Sequence, residues 1–97
     1  MYGIVRDNTY DATKLTAGQA ELDEFQAIHR KQPGYRGSFS VDIGNGRHIV
    51  VNLWESEEYA RSALPVMVPV VQRLVEPLLS KPSHLIGTGT VVMNDLL

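Results

Sequence analysis

Ser38-Phe39-Ser40-Val41-Asp42-Ile43-Gly44-Asn45-Gly46-Arg47-His48-Ile49-Val50-Val51-Asn52-Leu53-Trp54 is the stretch that decides the fold. Phe39, Val41 and Ile43 alternate with Ser38, Ser40 and Asp42, the period of a half-buried strand. Gly44-Asn45-Gly46 then supplies residues that tolerate positive φ, as a tight hairpin requires. The returning strand, Arg47 to Trp54, sets Ile49, Val51 and Leu53 on one face and His48, Val50, Asn52 and Trp54 on the other. Both faces of this strand carry large apolar groups, and water is a poor neighbour for either, since covering apolar surface is worth about 25 cal/mol per Å².

Working outward, Tyr2 to Arg6 reads as a strand rich in Tyr, Ile and Val. Asp7 to Thr13 is polar, with Asn8, Asp11 and Thr13 as turn formers. Thr16-Ala17-Gly18-Gln19 has capping-box spacing and predicts a helix start. Leu15, Leu22, Phe25 and Ile28 form its apolar stripe, acidic residues come early and basic ones late, and Gln32-Pro33-Gly34 ends it. Beyond the hairpin, Ser56 is a fitting N-cap, with Glu57 and Glu58 where a helix N-terminus favours anions. Tyr59, Ala60, Ala63 and Leu64 start a second helix. Pro65 and Pro69 predict a break at Val66-Met67-Val68, because proline removes a backbone donor and crowds the preceding turn. The pattern resumes from Pro69 to Leu78, and Leu85 to Met93 reads as a final strand. The order β-α-β-β-(broken α)-β predicts an α+β, ferredoxin-like domain over residues 1–97: an antiparallel four-stranded sheet with both helices on one face. The helix-free face is left apolar, and pairing with a second copy through that face, as a homodimer, would cover it.

Composition narrows the function. Ninety-seven residues with formal charge −2 offer no basic field for nucleic acid or anionic lipid. The chain has no cysteine, which excludes disulfides, thiolate nucleophiles, thiolate zinc sites and iron–sulfur clusters. No run approaches the length of a membrane helix, the first residues do not read as a signal peptide, and a cytoplasmic protein is expected. His29, His48 and His84 are too scattered for metal-ligand spacing. Gly44-Asn45-Gly46 and Gly87-Thr88-Gly89 lack the strand–helix context of a phosphate loop, and no nucleophile elbow occurs.

Pro33-Gly34-Tyr35-Arg36-Gly37 before the hairpin, and Trp54-Glu55-Ser56-Glu57-Glu58-Tyr59-Ala60 after it, resemble the antibiotic-biosynthesis-monooxygenase-like family, as does the proline-interrupted stretch from Pro65 to Leu79. The resemblance implies a dimeric α/β barrel with a small-molecule cavity between sheet and helices. Some members are cofactor-independent monooxygenases acting on aromatic phenols or quinols, and others degrade haem. By the resemblance, Trp54 matches the family's tryptophan at the end of this strand, Asn52 lies near the asparagine of quinone-forming members, and Tyr59 falls where some members have a tyrosine. The haem-degrading branch expects a histidine on the second helix, but the matching stretch here is Ala60-Arg61-Ser62-Ala63-Leu64-Pro65. The expectation is therefore a reaction on a small aromatic molecule with no cofactor and no metal, or a non-catalytic homodimer that binds such a molecule.

Each candidate residue has two readings. Asn52 and Trp54 share a strand face, where an amide and an indole N–H could hold a substrate oxygen and stabilise developing negative charge. The same pair also suits a packed tryptophan and an asparagine bonded to a neighbouring strand. Tyr59 either donates a proton or packs in the helix stripe. His29 is a candidate cavity base near neutral pH, or a histidine settled at a helix C-terminus. Tyr35, read with Arg36 as a loop residue, guards a pocket entrance or is solvated. His84 opens the last strand and would line a cavity mouth, while His48, beside the hairpin, is expected to face solvent.

Overall fold

The computed structural model describes residues 1–96. Its elements are β1 (Tyr2–Thr9), α1 (Ala12–Ala17), α2 (Gln19–Arg30), β2 (Tyr35–Asp42), β3 (Arg47–Trp54), α3 (Glu57–Leu74), a 3-10 turn at Glu76–Leu78 and β4 (His84–Thr90). The four strands form one antiparallel sheet in the order β2-β3-β1-β4. This is the predicted ferredoxin-like arrangement. Among the described residues no helix is long and apolar enough to cross a membrane.

The β2–β3 hairpin forms as its glycines dictate: Gly44, Asn45 and Gly46 all have positive φ, at 97°, 57° and 76°. Register then assigns the two faces of the sheet. Trp54 pairs with Tyr2, and Asn52 with Ile4. Trp54, Tyr2 and Ile4 pack with Ala60, Ala63 and Met67 of α3 and with Phe25 and Ile28 of α2. Even-numbered residues of β1 and β3 therefore face the helices, since successive strand side chains alternate. Val5, Val51 and Phe39 share the opposite face, which no helix covers.

Four expectations are corrected. The first helical segment begins before Thr16: Asp11 caps α1, its Oδ1 accepting from Lys14 N at 3.1 Å. Thr16 instead donates to the Ala12 carbonyl, and Gln19 bonds Asp23. Gly18 separates α1 from α2, lying so close to Leu78 that a Cβ there would stand 2.5 Å from Cδ2. The expected break at Val66-Met67-Val68 does not occur, and α3 runs unbroken through Pro65 and Pro69. The carbonyls those prolines leave without partners belong to Arg61 and Pro65, both exposed, so water can satisfy them while Met67 stays in the core. The last strand runs from His84 to Thr90 and stops short of Met93. His48 is half-buried, its ring 4.9 Å from that of Tyr10.

Candidate functional site

A bulge builds the site. Pairing between β2 and β3 shifts between Tyr35 and Gly37, so Tyr35 stands opposite Trp54 and Ser38 opposite Asn52. Without the extra residue, Arg36, strict alternation would turn Tyr35 toward the open face. The bulge brings both Tyr35 and Ser38 to the helix side. Tyr35, expected in a loop, is thus the first residue of a strand.

Two constellations meet there. In the first, Ser38 Oγ donates to Asn52 Oδ1 at 2.7 Å, and the Tyr35 hydroxyl lies 2.5 Å from Ser38 Oγ. The serine's single hydrogen goes to the amide, so the tyrosine must donate to the serine. This directed chain orients the Asn52 carboxamide with its oxygen accepting from Ser38, while its Nδ2 makes no hydrogen bond among the described residues. In the second, His29 lies amid aromatic rings, with centroids 4.4 Å from Tyr35, 5.1 Å from Phe25 and 5.4 Å from Trp54. Tyr35 meets Trp54 edge-on at 5.5 Å. Trp54 is 3% exposed and His29 6% exposed. Among the described residues no hydrogen bond reaches the indole N–H or the imidazole, yet no buried side-chain nitrogen or oxygen there lacks a partner. These nitrogens therefore border space that water can enter.

Burial without a partner holds the His29 imidazole down at about 4. It stays neutral through the physiological range, so the expectation of a base titrating near neutrality is corrected: its conjugate acid is too strong for that. An unfolded chain protonates this histidine near 6.5 while the native protein resists until about 4. The stability contributed by the neutral ring is therefore complete above pH 6.5 and is lost as pH falls from there through 4, by about 3 kcal/mol in all. His29→Phe is expected to flatten this limb of a urea-midpoint profile. Parallel pH slopes for the two proteins would show that the buried imidazole does not govern it.

Other candidates lie elsewhere. Tyr59 sits directly over Gly34, where an added Cβ would come within 2.3 Å of Tyr59 Cγ. Its ring thus braces the junction between α2 and β2. His84 pairs with Asp7 and shares the open face with it, remote from Trp54. There the Asp7 carboxyl lies below its ordinary range, held chiefly by its hydrogen bonds to Arg47, the shortest 2.6 Å. Of the six candidates, Asn52, Trp54, His29 and Tyr35 converge, Tyr59 lies against Gly34 next in sequence to Tyr35, and His84 stands apart. Sequence reading missed Ser38, which shows only as a serine in an alternating strand until the register is known. Two clefts, of about 450 and 350 Å³, lie by Glu55, Ser56 and Thr88 and by Phe39, Val51 and Leu53 respectively. Neither borders Asn52 or Trp54.

No family profile matches the chain. No curated protein matches it in sequence. Solved structures do match. A protein of unknown function from Nitrosomonas europaea, NE2512, superposes with a TM-score of 0.76 at 13% identity, over 99% of this chain and 93% of that one. A variant of SnoaB, a cofactor-independent oxygenase from Streptomyces nogalater, gives 0.76 at 18% identity, over 96% and 94%. An antibiotic biosynthesis monooxygenase gives 0.75 at 10% identity, over 96% of this chain and all of that one. The chain has the antibiotic biosynthesis monooxygenase fold. At such identities the likeness is one of backbone architecture, and it places the resemblance first seen around Trp54 on a structural footing. Within that fold, the Tyr35–Ser38–Asn52 chain and the His29 aromatic cluster lie on the helix side of the sheet.

Proposed function

We propose that this chain is a cofactor-independent monooxygenase-like protein that takes a small phenol- or quinol-type aromatic between sheet and helices, beside Asn52 and Trp54. One observation carries the reading: the amide of Asn52 is pinned by Ser38, so that its N–H donors and the indole N–H lie on one strand face. Such donors stabilise negative charge on a substrate oxygen and so lower the substrate's own pKa. With anthrone as substrate the balance is anthrone plus O2 to anthraquinone plus water. The substrate loses a proton, its electron-rich anion reduces oxygen directly, and the CH2 carbon ends as a carbonyl. The residues hold the ring, exclude water and stabilise the anion, while water or the weakly basic His29 accepts the proton. Neighbours of the same fold named as an oxygenase and a monooxygenase support this reading.

Wild-type protein incubated with anthrone in air is expected to form anthraquinone, followed by absorbance, and Asn52→Ala to lose about 100-fold or more of that rate, the typical effect of removing one oxyanion donor. Wild type no faster than the variant would remove the proposed site. The low basicity of His29 favours a second reading, a homodimer that binds an aromatic molecule without turning it over. Anthrone raising the melting temperature with no quinone formed would select it.

The working unit in this proposal is a homodimer joined through the helix-free face. Phe39 and Val41 are 49% and 50% exposed there. The total accessible surface is 6494 Å², whereas a compact monomer of this mass exposes about 5,500 Å². The excess is close to the ~800 Å² that each partner buries in a stable interface.

A further inference from the structure

The helix side of β1 holds a cation that no acidic group among the described residues pairs with. Arg6 lies opposite Val50, half-buried, one step along the same face from Ile4. The ion pairs among the described residues join Arg47 to Asp7, His48 to Asp42, Arg61 to Glu57 and Arg73 to Glu24, and none includes Arg6. Among the described residues its only side-chain partner is Ser83, whose Oγ lies 3.4 Å from Nη1. Ser83 in turn hydrogen-bonds Asn8 Oδ1, and Asn8 is 8% exposed, so the residues orienting the guanidinium are themselves anchored. A guanidinium carries five N–H donors. At most one is used here, and at a long distance. Since no buried side-chain nitrogen among the described residues lacks a partner, the other donors open onto accessible space.

A half-buried, unpaired guanidinium flanked by Ile4 and Val50 is poorly placed as a structural group. Its fixed fork matches a carboxylate, and desolvation by the flanking side chains would strengthen that pairing. Arg6 also lies diagonal to Asn52 across β1 and β3, about 7–8 Å away by strand geometry. A ligand one or two rings long reaches both.

We propose that the ligand of this site is an aromatic acid, its carboxylate held by Arg6, with Ser83 and Asn8 as positioning residues. The proposal rests on the reading that a ligand sits between sheet and helices beside Asn52, and adds to it the charge of that ligand. Calorimetric titration with 2-naphthoate and with uncharged 2-naphthylmethanol tests it. Wild type is expected to bind the acid at least tenfold more tightly than the alcohol, Arg6→Gln to bind the two alike, and Asn52→Ala to keep the preference. Equal affinities in wild type, no binding of the acid at millimolar concentration, or a preference that survives Arg6→Gln would each overturn the proposal. Should Arg6→Gln not fold, the Arg6 Nε–H resonance of wild type is expected to shift saturably with 2-naphthoate and not with the alcohol, and an unmoved resonance would be equally decisive. The outcomes separate the two ideas: acid selection without anthrone oxidation sinks the reaction alone, and oxidation without acid selection sinks the Arg6 site alone.

Discussion

Gly34→Ala is expected to destabilise the protein by about 3 kcal/mol or more. Two costs add. Gly34 has φ of 79°, in the left-handed region, where a residue with a Cβ is disfavoured by roughly 1 kcal/mol or more. The new Cβ would also stand 2.3 Å from Cγ and 2.5 Å from Cβ of Tyr59. Those atoms lie at the root of a ring fixed to the first turn of α3, so the ring cannot simply swing aside, and overpacking of this kind typically costs 1–3 kcal/mol. The backbone nearby is also constrained, because Glu55 N donates to the Gly34 carbonyl at 2.7 Å, tying the start of β2 to the end of β3. Urea unfolding measures the total. Gly44→Ala isolates the first cost, since its φ is 97° and nothing lies within 4 Å of the added Cβ. If the two variants lose equal stability, the contact with Tyr59 is not what makes glycine necessary at position 34.

Glutamate at Phe39 is expected to abolish self-association while sparing the fold. Phe39 is already half-exposed in the single chain, so a polar replacement there costs the monomer little. A contact built on a two-fold axis presents the same patch from both partners, so one substitution places two carboxylates in the interface. Burying like charges there costs several kcal/mol, enough to move a micromolar dimer to the monomer. Sedimentation of wild type at micromolar concentration should give twice 10.8 kDa, and Phe39→Glu should give 10.8 kDa with unchanged far-UV circular dichroism. A wild-type monomer, or a Phe39→Glu dimer, would rule out pairing through this face.

Much of the architecture was legible because it rests on local rules. Gly44-Asn45-Gly46 can do little other than turn, the alternation from Ser38 to Trp54 is unambiguous, and Ser56 caps its helix as read, accepting from Tyr59 N at 3.4 Å. What escaped depends on surroundings. Proline costs a helix less where its orphaned carbonyl can be hydrated and packing holds the turns on either side, and the sequence around Pro65 does not say that Arg61 will face water while Met67 is buried. Thr16 has the residue type and spacing of a cap, but Asp11 caps the helix first, Thr16 falls inside α1, and the interruption comes at Gly18, packed against Leu78. The candidate site was legible as residue types and illegible as an assembly. Asn52 and Trp54 share a face by counting alone, but Tyr35 reaches them through one extra residue at Arg36, and His29 through the packing angle of α2. Neither leaves a mark in the order of residues.

The placement of β1 in the sheet bears on how the chain comes to fold. It lies between β3 and β4, with Asp7 and His84 side by side although most of the polypeptide separates them. On a ribosome, the hairpin and α3 can form while one flank of β1 still has unpaired amides and carbonyls, and that flank closes only after residues 84–90 have cleared the exit tunnel. Sheets completed by such distant segments assemble slowly, and a bare edge is a template for wrong pairing. The interval before β4 arrives is when the nascent protein most needs a chaperone.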